Sequence, residues 1–281
     1  MASKNTDNKQ SSISGILCVY NEIQNIELII SNIRSKLLNE LIIIDGGSQD
    51  GTYEILVKEK NIVIHQKEGV GLLAQRLYGI ELASNDLIFL FNADDDLSLI
   101  NFTSLADEMF HKSAHGLQLN ITSPSTNYWE KAWSNYFKII FPEEKKLPVL
   151  GRPCLTQKYL FDSIETKKNI FNEDTFLKYE QERIFGELNY YTSIQKVIRK
   201  VPKRIIENFI QFYKYGVSDE ILSRGDSNKT RSLLFHSFVR IAVLRSFKMM
   251  QNRNFNYVFF NYSMGIIRGF SLCVKRILSW A

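Results

Sequence analysis

The chain has 281 residues, enough for one large domain or two small ones, and its 44% hydrophobic and 23% charged residues, 14 glycines and 5 prolines are ordinary for a globular protein. Collagen-like, low-complexity and wholly disordered chains are thereby excluded. The formal charge of +5 is unremarkable in total, and three widely separated cysteines, Cys18, Cys154 and Cys273, fit neither a disulfide framework nor a zinc cluster, so a reducing compartment is expected.

Residues 1–12 are polar, lack the apolar stretch of a secretory signal, and read as a disordered lead-in. A strand is predicted over 14–19. A helix over 25–38 follows, with Ile26, Ile29, Ile30, Ile33 and Leu37 on one face. The nearly all-apolar run 41–44 is that of a strand buried on both sides of a parallel sheet. A helix over 50–60, a strand over 62–65, a helix over 72–83 and a strand over 87–91 complete the alternation, which predicts an α/β fold with a mostly parallel sheet and right-handed crossovers. Further helices are expected over 97–110, 175–181 and 204–215.

Ligands of such sheets bind beyond the carboxyl ends of the strands. Tyr20, Asn21 and Glu22 follow the first strand, Asp45-Gly46-Gly47-Ser48 the second, and Asn92-Ala93-Asp94-Asp95-Asp96 the fourth. Asp45, Asp94, Asp95 and Asp96 would repel one another without a cation, and hard oxygen ligands favour Mg2+ or Mn2+. The alternative is that the acidic triplet caps the helix after it. Residues 46–51 supply glycine-rich backbone without the order of a Walker A loop or a dinucleotide fingerprint, and they serve equally as a tight turn with Ser48 or Asp50 as helix cap. Gly69 and Gly71 precede the next helix, and Arg76, one turn into it, is placed to meet a phosphate.

From Ser227 onward there is no acidic residue and nine Lys or Arg, so removing those nine charges from the total of +5 leaves −4 for the rest. Asn254, Asn261, Arg268 and Lys275 recur every seven residues, with Phe255, Val258, Phe259, Tyr262, Ile266 and Phe270 covering much of the remaining helix surface. This basic polar stripe on an otherwise apolar helix is expected of an interfacial helix lying on anionic lipid. Packing on the rest of the chain and a homo-oligomer interface are the alternatives. The longest uncharged run of this segment, 14 residues, is short for a membrane span, and no nucleic-acid-reading motif accompanies the basic segment.

Five blocks in order, Val19-Tyr20-Asn21-Glu22, Asp45 to Thr52, Glu68 to Arg76, Asn92 to Asp95, and Asn172-Glu173-Asp174, resemble the family 2 inverting glycosyltransferases of the GT-A fold. The resemblance implies transfer of a sugar from a nucleotide-diphosphate sugar to a hydroxyl acceptor. It implies that Tyr20, Asn21, Glu22 and Asp45, with Gly47, Ser48, Arg76, Asn92 and Ala93, hold the donor. Asp94 would bind the Mg2+ or Mn2+ bridging the diphosphate, and Glu173 or Asp174, the latter favoured, would be the catalytic base. Asn92 stands where the family's Asp-x-Asp motif has its first aspartate. Gln211 and Lys214 sit where relatives carry a Gln-x-x-Arg-Trp type motif, and Lys214 would reach the diphosphate.

Arg152, between donor and acceptor halves, is a candidate contact for an acidic acceptor. Trp129 and Trp133, in an aromatic cluster over 128–137, are expected either in a helix core or at a membrane-facing acceptor groove. The histidines show no ligand spacing. Residues 13–222 are expected to form the GT-A domain and 223–281 a basic amphipathic helical segment. The expected protein is cytoplasmic and peripheral on the inner membrane face, acting on a glycan or polyprenyl-linked acceptor. A catalytically silent nucleotide-sugar-binding scaffold and a nucleotidyltransferase are the alternative functions.

Overall fold

The computed structural model describes residues 12–165, 173–223, 227–251 and 255–278. The expectation for 1–12 lies outside them apart from Ser12, as do Asn172 and Asn254. The chain packs into two compact units, one drawn from 1–121, 141–168 and 174–199, the other from 122–140, 169–173 and 200–281.

The first unit is built on a sheet of strands β1 (Ile13–Val19), β2 (Glu40–Asp45), β3 (Val63–Gln66), β4 (Leu87–Phe91), β5 (Asp95–Asp96), β6 (Gly116–Thr122), β7 (Lys146–Leu147), β8 (Cys154–Gln157) and β9 (Tyr190–Arg199). Their order is β3-β2-β1-β4-β8-β6-β9-β5, with β7 on β9. β1 pairs in parallel with β2 and β4, and β2 in parallel with β3, as the apolar runs predict. Ile42, Ile43, Ile44, Ile88 and Phe89 are fully buried. β8 then joins β4 antiparallel, so the sheet is mixed beyond its parallel half.

Helices α1 (Ile26–Arg34), α2 (Thr52–Leu56) and α3 (Leu72–Leu82) connect the parallel strands, and α4 (Phe102–His111) follows β5. α2 is shorter than the predicted 50–60 because Gly51 is left-handed at φ 95° and the amides of Lys58 and Glu59 turn back tightly onto Ile55 and Leu56. α4 starts five residues after the predicted 97. Its cap is Asn101, whose side chain accepts from the Ser104 amide, and not the acidic triplet.

The second unit is helical. It contains α5 (Tyr128–Ile140), α7 (Ile205–Ser223), α8 (Ser227–Phe235), a π-helical stretch His236–Arg245, α9 (Ser246–Gln251) and α10 (Val258–Leu278), while α6 (Glu173–Phe185) lies almost wholly in the first. α10 packs along α7 on one side and along 236–245 on another. Small residues permit both approaches: a Cβ on Gly265 would lie 2.5 Å from the Ser237 carbonyl oxygen, and one on Gly269 2.6 Å from the Phe238 ring. Gly216 of α7 likewise abuts Arg268 and Ser271 of α10, so the Tyr215-Gly216 pair has a packing role.

The structure decides between readings that the sequence left open in this unit. Trp133 is 3% exposed, packs on Phe137, Phe212 and Phe260, and donates its ring N–H to Asn208 Oδ1 at 2.7 Å. It is core, because an indole can be buried fully once its N–H has an acceptor. Trp129 joins the same cluster against Phe209, Phe259 and Phe260. The polar stripe of α10 also points inward: Asn261 is fully buried, and Arg268 makes two hydrogen bonds to Asp219 at 2.5 and 2.9 Å. A guanidinium with a buried carboxylate partner is neutralised in place and is withdrawn from lipid. The three cysteines are free.

Candidate active site

The loops at the carboxyl ends of β1 and β2 are tied together, and the pairing of β4 with β1 brings the third loop to the same edge. The Gly46 amide donates to the Val19 carbonyl at 2.8 Å. Asn21, left-handed at φ 54°, donates its amide to Ser48 Oγ and accepts the Gln49 amide, and the Glu22 amide donates to Thr52 Oγ1. Asp45, fully buried, accepts from the Gly47 and Ser48 amides at 2.9 Å each and from the Ser48 hydroxyl at 2.6 Å. Its carboxylate thus organises the turn after β2. Gly47 needs its φ of 92° there, and a Cβ would meet Glu68 at 2.7 Å. Tyr20 leaves this network with its ring 59% exposed, free to stack on a flat ligand. Glu22 is half-buried, and that burial raises its carboxyl pKa, opposed by Asn25 and reinforced by Asp50.

Arg76 is buried on α3 and donates to Asn92 Oδ1 at 3.1 Å. The Asn92 contact orients the guanidinium.

The acidic loop divides its work unevenly. Asp95 is fully buried, bonded by Arg199 of β9 at 2.7 and 3.0 Å and by the Asn92 amide at 2.9 Å. Asp96 accepts the Ser98 amide at 2.9 Å. With Asp45 also engaged, hydrogen bonds and Arg199 relieve the repulsion expected of three of the four carboxylates, so the case for a cation narrows to Asp94. Asp94 differs. Its Oδ1 is buried without a hydrogen-bond partner, 3.6 Å from Arg199 Nε, while the side chain as a whole is 36% exposed. Burial raises its pKa to about 6, Arg199 pulling it down and Asp95 pushing it up.

A carboxylate oxygen left unserved at the rim fits a single protein ligand to Mg2+ or Mn2+, ions that complete their shells with phosphate oxygens and water. Among the described residues no cluster of three His, Cys, Asp or Glu side chains forms a metal cage, so Asp94 would hold the ion with the donor's phosphates and not alone.

Arg152 precedes β8 and is buried; its Nη1 pairs with Asp174 of α6. Both line one pocket with Leu90, Cys154, Phe161 and Tyr190. Asp174 keeps 34% of its side chain exposed, whereas Glu173, which opens α6, is buried. Only Asp174 of the two is open to an incoming hydroxyl. Ala93 is buried beside Asp94, and Gln211 and exposed Lys214 lie on α7 in the helical unit. Arg199 escaped the sequence reading: it is 104 residues from Asp95, and no local pattern marks it.

The parallel α/β half-sheet with its loops gathered at the carboxyl rim has the GT-A architecture. The chain belongs to glycosyl transferase family 2, whose sequence model matches residues 14–164. It is similar to the cholesterol galactosyltransferase of Borreliella burgdorferi (strain ATCC 35210 / DSM 4680 / CIP 102532 / B31), 31% identical over 91 residues. That match spans 30% of this chain and only a quarter, 25%, of the relative. Among solved structures it resembles S. aureus TarS 1–349 in complex with UDP-GlcNAc, with a TM-score of 0.50, 13% identity and coverage of 88% and 78% of the two chains. Against the UDP complex of TarS 1–349 the TM-score is 0.52, with 12% identity and coverage of 90% and 89%. At these identities the structures speak to the fold.

Proposed function

We propose that the chain is an inverting transferase that takes a nucleotide-diphosphate sugar at the β1–β2–β4 rim and uses Asp174 as general base on a hydroxyl acceptor. The observation that carries the reading is the pairing of two unlike carboxylates: Asp94 with an unserved oxygen, and Asp174 exposed and held by Arg152. Tyr20 stacks on the base, and the rim of Asn21, Glu22, Asp45, Gly47 and Ser48 encloses the nucleoside. Arg76 places positive charge towards the diphosphate. UDP-sugars are the first donors to test, because TarS is solved with UDP-GlcNAc and UDP.

Asp94 would hold Mg2+ or Mn2+. When bound, the ion neutralises the charge of the departing diphosphate. Asp174 accepts the acceptor's proton as its oxygen attacks the anomeric carbon from the face opposite the leaving group; inversion follows from that geometry. The Arg152 guanidinium fixes the carboxylate's direction. A lipid-borne glycan precursor at a membrane surface is the acceptor class we favour. It is supported by the acid-free basic segment from Ser227 and by a relative named for transfer to a sterol.

Nucleotide release from a panel of UDP-, GDP-, dTDP- and CMP-sugars, with Mn2+, Mg2+ or EDTA and a membrane lipid extract, tests this. Metal-dependent release from one donor, lost in Asp174→Asn with nucleotide affinity retained, is expected. Nucleotide binding with no turnover on any donor would instead identify a silent sugar-nucleotide scaffold.

A further inference from the structure

We propose that the outward face of the C-terminal helices inserts into the interfacial layer of an anionic bilayer, with aromatic and aliphatic side chains entering the lipid and not the polar heptad stripe. This deepens the lipid-borne acceptor reading and rests on it.

On α10 the residues turned to solvent are Phe259, Tyr262, Phe270 and Ile277, 52%, 53%, 64% and 69% exposed. Their spacing places them on one helix face. The π-helical stretch His236–Arg245 turns out Val243 and Leu244 and α9 turns out Phe247, each more than half exposed, and both pack on α10. The opposite face of α10 carries Asn261, Gly265, Arg268 and Leu272 inward. α10 therefore carries large apolar groups on its outer face as well as on the inner one, where Phe260, Met264 and Leu272 are buried beside the ion pair. Exposed apolar surface on two adjacent helices is unfavourable in water unless a partner covers it.

Charge selects the partner. Arg231, Arg240 and Lys248 are exposed on the same helices, and no acidic residue occurs from Ser227 to the C-terminus. A second copy would bring like charges together, whereas phosphatidylglycerol-type headgroups complement them. No described helix is long and apolar enough to cross a membrane, so the fitting geometry is a helix pair lying in the interface plane.

The test is co-sedimentation of the full chain with phosphatidylcholine vesicles, with and without phosphatidylglycerol, alongside donor-dependent nucleotide release from the same preparation. Wild type is expected to partition onto the anionic vesicles. Phe247→Glu with Phe259→Glu should reduce partitioning roughly tenfold or more, and Arg240→Gln or Lys248→Gln about fivefold each. The charge variants are surface changes that leave the core intact, so they keep the test open if the glutamate variant misfolds. Partitioning that ignores both sets, or wild type that stays in solution, overturns the proposal. A dimer broken by Phe247→Glu, in protein that ignores vesicles, also overturns it by assigning the face to self-association. Release that persists without vesicle binding removes the membrane face and leaves the transferase reading standing; vesicle binding without release on any donor does the reverse.

Discussion

Asp94→Asn should make the protein more stable and inactive at once. Folding raises the carboxyl from 3.8 to about 6, chiefly by burial, so holding it ionised at neutral pH opposes folding. The full difference corresponds to about 3 kcal/mol at about 1.4 kcal/mol per pKa unit. Because 36% of the side chain is open to solvent, screening reduces this to about 1–2 kcal/mol. The sign follows from proton binding: between pH 3.8 and 6 the folded state binds more protons than the unfolded one, so this group's contribution favours folding below 3.8 and is lost as pH rises through 6. A neutral amide in place of the carboxyl carries no such penalty; the Asp94→Asn variant is therefore expected to match wild type near pH 4 and exceed it at pH 7. Urea unfolding in EDTA at both pH values measures the gap, and metal-dependent nucleotide release measures the lost activity. A variant no more stable than wild type at pH 7, or a gap independent of pH, would refute the assignment of Asp94 as the unserved carboxylate of the rim.

Replacing Gly265 with alanine places a Cβ 2.5 Å from one backbone atom and 2.6 Å from another, so α10 and the 236–245 helix must part by several tenths of an ångström; a loss of about 1–3 kcal/mol in urea unfolding is expected, against no comparable loss in Gly71→Ala, where nothing lies within 4 Å. His236 is held at about 4 by burial, with Arg268 and Arg245 adding to the shift, so its contribution is intact above its ordinary 6.5 and is lost as pH falls towards 4. Thermal unfolding should show about 1–2 kcal/mol of acid destabilisation in that window, reduced in His236→Gln, after allowance for solvent screening of a partly exposed ring. Arg152→Met should lower kcat by about 10²-fold with donor KM unchanged, because it removes the side chain that orients Asp174; an equal rise in KM would place Arg152 in donor binding instead.

The parallel half-sheet was legible because its strands are buried on both faces and read as unbroken apolar runs, with β4 matching its predicted bounds of 87–91. Tyr20, Asp45, Asn92 and Asp94 were legible for a related reason: the residue that follows a strand in a βα series must lie on the rim. What each rim carboxylate does was not. Asp45, Asp95 and Asp96 look alike in sequence, and only the hydrogen bonds from Ser48, Arg199 and Ser98 separate them from Asp94. Arg199 and the Arg152–Asp174 pair come from segments far apart in the chain, so no period or spacing announces them. The heptad of Asn261, Arg268 and Lys275 fixed which residues share a helix face but not which way that face turns. Asp219 on α7 decided that, because a buried arginine requires a buried partner and helical periodicity carries no information about the neighbouring helix.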